Sequence, residues 1–147
     1  ESAFVIKRDE EALSLYSTMV TQVPNSYPLR NHAGRSYYLL SKYEEALNMF
    51  TASLDITGRE ALQARTALMY IGFVQIDTDQ PELAYNNLVT SLDLYLQARH
   101  ILEVEGKGFS TVDESSREQE NNDILSISIA LNNLAPELGK EPPVKIE

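Results

Sequence analysis

The sequence predicts an all-α fold, in which antiparallel helix–turn–helix units repeat and stack into a short solenoid closed by a C-terminal helix. Three observations predict this fold. Similar segments recur at a nearly constant spacing, apolar residues follow a helical period, and helix-start and turn signals separate the segments. The chain has 147 residues, which is room for one compact domain of this kind.

The repeat is visible in three copies of one segment. Asp-Glu-Glu-Ala-Leu-Ser-Leu-Tyr at 9–16 recurs as Tyr-Glu-Glu-Ala-Leu-Asn-Met-Phe at 43–50 and as Pro-Glu-Leu-Ala-Tyr-Asn-Asn-Leu at 81–88. The first two copies are 34 residues apart, and the third follows after 38. We place the four extra residues of that longer interval between 58 and 62.

These segments resemble the tetratricopeptide repeat family, whose 34-residue unit is a helical hairpin. The second copy has small, aromatic and aliphatic residues at the family's positions: Ala33, Gly34, Tyr37, Ala46, Phe50, Ser53 and Leu54. The third copy matches at Gly72, Ala84, Leu88, Ser91 and Leu92, and the first at Ala12, Tyr16 and Pro24. The resemblance extends to about residue 98 and implies a right-handed α-solenoid. Arg30, Gly58 and Gln75 depart from the family pattern.

The small residues also have a mechanical reason. Gly34 and Ala46 are small because two paired helices must approach each other closely, whereas Tyr37 and Phe50 fill the groove beside that contact. We therefore expect Ala46 and its counterpart Ala84 to point into the core.

Local signals place the elements between these contacts. Ser41-Lys42-Tyr43-Glu44 has the pattern of a capping box, and Pro81 fits the first turn of another helix. The predicted helices are 9–23, 28–40, 43–56, 60–77 and 81–103, preceded by a short apolar piece, Phe4-Val5-Ile6. The predicted organisation is an array over 1–103, an acidic loop over 104–115, a capping helix over 116–138 and a tail over 139–147. Within the array we expect a partial repeat over 1–26 and full repeats over 27–60 and 61–103.

The array is expected to be incomplete at its first end, where most of a leading helix (the first helix of a hairpin) is absent in the 34-residue register. Because stacked repeats bury their cores against one another, Leu13, Tyr16 and Val20 would then form a bare face. We expect either a fragment of a longer array or a part of a complex.

The segment after residue 103 changes character. Acidic residues outnumber basic ones seven to two over 103–123. This excess fits either a solvated linker or an acidic segment that binds a basic partner. A second capping-box pattern at Ser115–Glu118 precedes apolar residues at both helical and strand spacing. Length favours a helix, and we expect it to pack on the 81–103 helix.

Composition and motifs exclude several classes of function. The chain has no Cys, two His and a net charge of −10, which removes thiolate chemistry, makes metal sites improbable and disfavours nucleic acid and anionic membranes as partners. No segment is apolar enough to span a membrane. We expect a cytoplasmic protein without enzymatic activity or cofactor.

The resemblance implies that the leading helices line a concave groove that holds a protein or peptide partner. The candidate contact residues, carried over position by position, are Asn31, His32, Arg35, Tyr38, Met69, Tyr70 and Phe73. Aromatic residues, Met and Arg are enriched at interfaces, although Met69 and Phe73 also fit a packed core.

Two functions from different classes remain open. The first is an adaptor that binds a partner's peptide or helix in the groove, and the second is an architectural subunit buried permanently in a larger assembly. The carboxylate clamp of tetratricopeptide co-chaperones is not matched, since His32, Thr66 and Tyr70 stand where Asn, Lys and Arg would be required. Binding of chaperone tails is therefore disfavoured.

Overall fold

A computed structural model of the chain describes residues 3–105 and 114–141. These residues fold into six α-helices with no β-strand among them, and helices adjacent in the chain pack against each other. The helices are α1 (Ala3–Gln22), α2 (Tyr27–Leu39), α3 (Tyr43–Thr57), α4 (Arg65–Asp77), α5 (Pro81–Glu105) and α6 (Glu114–Glu137), with a 3₁₀ turn at Leu62–Ala64 before α4. The predicted all-α class is confirmed.

The two central hairpins, α2–α3 and α4–α5, repeat with an offset of 38 residues. Helices α2 and α4 each have 13 residues, and both their first and last residues are 38 apart in the sequence. Each is followed by a residue with positive φ, Ser41 at 60° and Asp79 at 59°. The next backbone N–H then donates to the carbonyl five residues earlier, Lys42 to Tyr37 and Gln80 to Gln75. The repeat found in the sequence is therefore also a repeat of backbone conformation.

Close helix contacts explain the small residues of the repeat. A Cβ atom built on Gly34 would lie 2.7 Å from the ring of Phe50, and one built on Gly72 would lie 2.5 Å from Leu88. Both distances are shorter than side chains tolerate, so only glycine fits at these crossings. Ala46 and Ala84 are fully buried, as the sequence predicted.

The predicted packing of the last helix on α5 is also confirmed. Helix α6 packs on α5, and its Ile127 and Leu131 are fully buried in a cluster with Met69 of α4 and Tyr95 of α5. A second cluster joins α3 and α4 around Phe50. The two clusters share the half-buried Tyr70, which packs against both.

Four details at helix ends differ from the expectations. The helix predicted over 60–77 begins at Arg65, because a 3₁₀ turn at Leu62–Ala64 takes its first residues. The piece Phe4-Val5-Ile6 is part of α1, because no glycine, proline or cap interrupts the chain before residue 9. Ser41 does not cap α3, since its positive φ turns it away from the helix and Lys42 takes the N-cap position without a side-chain bond. Ser115 lies inside α6, which begins one residue earlier.

The face expected to be bare on α1 is covered only in part. Val20 is 7% exposed, and Leu13 and Tyr16 are half-buried. Helix α1 packs on α2, where the Tyr16 ring stacks on His32. The exposed apolar residues of α1 are instead Phe4, Ile6, Leu15 and Val23.

The predicted acidic loop lies largely outside the described residues, because 106–113 are not described while Glu105 ends α5 and Glu114 begins α6. Of the predicted tail, 139–141 are described. Within the described residues, no helix combines the length and apolar character needed to cross a bilayer.

Candidate functional site

A groove with a volume of about 610 Å³ lies across α2, α4 and α6, with α1 at its edge. Its size falls in the range of ligand sites. It is lined by Tyr16, Tyr27, Pro28, Asn31, His32, Arg35, Thr66, Tyr70, Gln119 and Asp123. Other hollows at α1 and Lys42, between α4 and α6 and between α5 and α6 measure about 510, 310 and 200 Å³. This groove is larger than these three and contains four of the seven predicted contact residues.

Helix α2 supplies one wall through residues one turn apart. Asn31, His32 and Arg35 share a face because an α-helix turns once every 3.6 residues. The His32 imidazole stacks on the Tyr16 ring of α1, with centroids 5.0 Å apart and planes 14° from parallel. This stack gives the edge of the groove a flat aromatic surface.

Arg35 bridges α2 and α4. Its Nε–H donates a hydrogen bond of 3.1 Å to the Tyr70 hydroxyl. The Tyr70 ring is itself fixed, since it stacks on Phe50 at 5.2 Å and contacts Phe73 edge to face at 6.1 Å. Burial raises the pKa of the Tyr70 phenol, and the Arg35 guanidinium opposes that rise. Tyr70 is therefore neutral, and Arg35 is held over the groove.

Asn31 introduces a polar atom without a partner into the α2 wall. Within the described residues, its Oδ1 is buried and accepts no hydrogen bond. A buried unpaired amide costs about 1–3 kcal/mol, and rotating the amide exchanges its donor and acceptor ends.

Helix α6 supplies the opposite wall through Gln119 and Asp123. The Asp123 carboxylate accepts hydrogen bonds of 2.9 Å from the Tyr95 hydroxyl and from Gln119 Nε2. Burial raises the pKa of Asp123, while these two hydrogen bonds act to lower it. Burial and the neighbouring Asp123 charge also raise the pKa of Tyr95. Asp123 is thus a half-buried acceptor whose oxygens are already engaged.

An ion pair fixes α6 beside α4 at this end of the groove. Arg65 and Glu120 approach to 2.7 Å, and the Arg65 guanidinium also lies 5.5 Å from the centre of the Tyr95 ring. About a quarter of each charged side chain is exposed, so solvent weakens the pair without removing it. The contacts orient the α6 wall.

The structure brings together Asn31, His32, Arg35 and Tyr70, but it separates the other three predicted contact residues from the groove. Of the two alternatives left open for Met69, the structure favours the packed core, since Met69 is 2% exposed and clusters with Tyr95 and the α6 core residues. Tyr38 and Phe73 do not line the groove either. They are half-buried against Tyr70, with Tyr38 also packed on Tyr43 and close to Asp77.

Six lining residues were missed by sequence reasoning: Tyr16, Tyr27, Pro28, Thr66, Gln119 and Asp123. Tyr27 and Thr66 lie on the leading helices and could have been found by extending the helical face of Asn31 and Tyr70 one turn toward the N-terminus. Gln119 and Asp123 depend on where α6 docks, which its own sequence does not specify.

The site has no feature of a metal centre. In the described ranges, no group of three or more His, Asp or Glu side chains is placed to hold a metal ion. The groups that converge on the groove are aromatic rings, an amide pair, a guanidinium and a carboxylate, which suit non-covalent recognition.

Comparisons with known proteins do not assign the chain to a family. Neither the models of known protein families nor the curated protein sequences match the chain. The tetratricopeptide resemblance remains a prediction from the residues quoted above.

Proposed function

We propose that the chain is a protein-interaction module that binds a peptide segment of a partner in the groove of α2, α4 and α6. The observation that carries the proposal is the convergence of aromatic and hydrogen-bonding side chains from four helices on one groove of about 610 Å³. Such a combination suits a ligand with an apolar surface and regularly spaced polar groups.

A peptide meets both requirements. Its side chains can pack on the Tyr16–His32 stack, and its backbone offers alternating donors and acceptors that exposed polar side chains of the groove, Arg35 and Gln119, can bind. The net charge of −10 also favours a protein partner over nucleic acid.

The proposal is tested by titration with selected peptides. Dodecapeptides are selected from a random library on the immobilised chain, labelled with fluorescein and titrated by fluorescence anisotropy. We expect the double variant His32→Ala/Arg35→Ala to bind at least tenfold more weakly than the original chain, because truncation of interface anchors costs more than about 1 kcal/mol. Both side chains are exposed, so the helices should survive.

The matched control is Asn48→Ala/Thr51→Ala, two exposed positions of α3 that do not line the groove. It should bind like the original chain, and circular dichroism should show equal helix content in all three proteins. If the groove variant and the control lose affinity equally, the binding surface lies elsewhere. Self-association in sedimentation velocity without any peptide binding would favour the architectural subunit instead.

A further inference from the structure

We infer that the groove selects peptides that carry an acidic side chain, whose carboxylate is bound jointly by Arg35 and Tyr70. This inference rests on the proposed function and adds the chemical class of the ligand. It follows from which hydrogen-bonding groups of the groove are still free.

Arg35 has donors to spare. A guanidinium carries five N–H groups, and within the described residues the hydrogen bond of Arg35 to Tyr70 uses the Nε–H alone. Within the described residues, Arg35 forms no ion pair, unlike Arg65 and Lys140. The four remaining N–H groups belong to an exposed side chain that lines the groove.

Tyr70 adds a donor next to these groups. Because its oxygen accepts the hydrogen bond from Arg35, its own hydrogen is left to be donated elsewhere. The pair therefore offers donors from two helices that line the same groove. A carboxylate is the peptide group that accepts several such bonds at once, and charge-assisted bonds to arginine are among the strongest that proteins form.

The other charged group of the groove does not compete for this role. Both oxygens of Asp123 already accept hydrogen bonds, and Arg35 is close enough to lower the Asp123 pKa without forming an ion pair with it. Asp123 nevertheless disfavours a second negative charge nearby. A singly charged carboxylate is therefore favoured over a doubly charged phosphate.

The acidic surface does not exclude an acidic peptide. At an ionic strength of 0.15 M, charges more than about 8 Å apart are largely screened. Most of the charges that make up the net charge of −10 therefore repel a carboxylate at Arg35 only weakly. Arg35 and Tyr70 both line the groove. Because the clamp that would hold a terminal carboxylate is not matched in this sequence, we assign the carboxylate to a side chain within the peptide and not to its C-terminus.

The test compares selections on four proteins: the original chain, Arg35→Gln, Tyr70→Phe and the control Arg59→Gln. Arg59 is exposed, bonds to Asn87 and does not line the groove, so this control makes the same charge change elsewhere. The probe is a bead library of N-acetylated random dodecapeptides attached through a C-terminal amide, which removes terminal charges. Tyr70→Phe keeps the ring packing and removes only the hydroxyl.

We expect Asp and Glu to be enriched at least threefold among peptides bound by the original chain and by Arg59→Gln. Enrichment should disappear for Arg35→Gln and fall for Tyr70→Phe. In a selected peptide, replacing the acidic residue by its amide should weaken binding to the original chain at least tenfold, but less than twofold in Arg35→Gln.

Three outcomes overturn the inference while leaving the proposed function intact: bound peptides without acidic enrichment, enrichment of Lys and Arg, or an acidic preference that persists in Arg35→Gln. A further arm adds a free C-terminal carboxylate to the amide-substituted peptide. If this alone restores affinity, the carboxylate belongs to a chain terminus and our assignment is wrong. If no peptide binds the original chain at all, the proposed function itself fails.

Discussion

Helices α2 and α4 occupy equivalent places in their hairpins but differ in how far they are buried. They share their length, their closing turn and a glycine under a large side chain of the next helix. Three residues of α2 are buried, namely Ala33, Gly34 and Ser36, against six of α4, namely Ala67, Leu68, Met69, Ile71, Gly72 and Val74.

The cause of the difference is what lies beside each helix. Ala67, Leu68, Ile71 and Val74 of α4 are buried in the cluster that α4 shares with α3. Met69 is buried in the cluster with α5 and α6, whereas the equivalent Asn31 of α2 lines the groove. His32 and Tyr70 are also equivalent, and so are Arg35 and Phe73. The repeat therefore fixes the backbone, while the neighbouring helix decides whether a given position becomes core or binding surface.

The largest expected effect comes from exchanging the side chains at the equivalent positions 31 and 69. Met69→Asn should lower the free energy of unfolding by about 3 kcal/mol, because it places an unpaired amide in the core under α6. Asn31→Met should change it by less than about 1 kcal/mol, since it removes a buried oxygen that has no partner in the described structure. Urea unfolding of both variants measures the asymmetry. Equal losses would show that α2 and α4 have the same environment.

The second-largest expected effect is a loss of stability when the glycine of either hairpin is replaced, and the loss should be similar in the two hairpins. Gly34→Ala and Gly72→Ala should each cost about 1–2 kcal/mol, because overpacking outweighs the roughly 1 kcal/mol gained in helix propensity. Phe50→Leu should relieve part of the Gly34→Ala penalty, by at least about 0.5 kcal/mol in a double-mutant cycle.

The matched control for this cycle pairs Gly34→Ala with Leu88→Ala in the other hairpin, where no coupling is expected. A coupling of similar size in the control would mean that the two crossings are not independent. Additive effects of Gly34→Ala and Phe50→Leu would contradict the close contact itself.

The smallest expected effect is a pH dependence of stability that comes from Asp123 in the α6 wall. Burial raises the pKa of Asp123 above its ordinary value of 3.8. A carboxyl with a raised pKa in the folded state contributes most to stability below its unfolded pKa, and loses that contribution as the pH rises through the folded pKa. The stability of the original chain relative to Asp123→Asn should therefore increase as the pH falls from 7 toward 4.

Chemical denaturation at several pH values checks this trend, and Asp55→Asn on the exposed face of α3 supplies the same chemical change away from the groove. If the stability of the original chain relative to Asp123→Asn stays constant with pH, or decreases as the pH falls, the result would contradict a buried Asp123.

The sequence predicted the hairpins well because their determinants are local. The positions of Gly34 and Phe50 follow from the repeat spacing, and the structure places them in contact. The start of α1 was missed although the absence of a helix stop between Ile6 and Asp9 was visible in the sequence.

The sequence predicted only in part which residues line the groove and which are buried beside it. Asn31, His32 and Arg35 were identified because one helical face carries them. Met69 was left open between groove and core and Asp123 was missed for a single reason: both depend on the docking of α6. Its contacts with α4 and α5 join residues far apart in the sequence, 55 residues for Arg65–Glu120 and 28 for Tyr95–Asp123, and local spacing does not encode them.

The most direct test of the central claim, that the face of α2, α4 and α6 is the recognition surface, is a map of amide chemical shifts during titration with a selected dodecapeptide. We predict that the largest changes in the ¹H–¹⁵N spectrum occur at Asn31, His32, Arg35, Tyr70 and Gln119. Changes concentrated on the exposed residues of α3 and α5, with the groove residues unchanged, would contradict the claim.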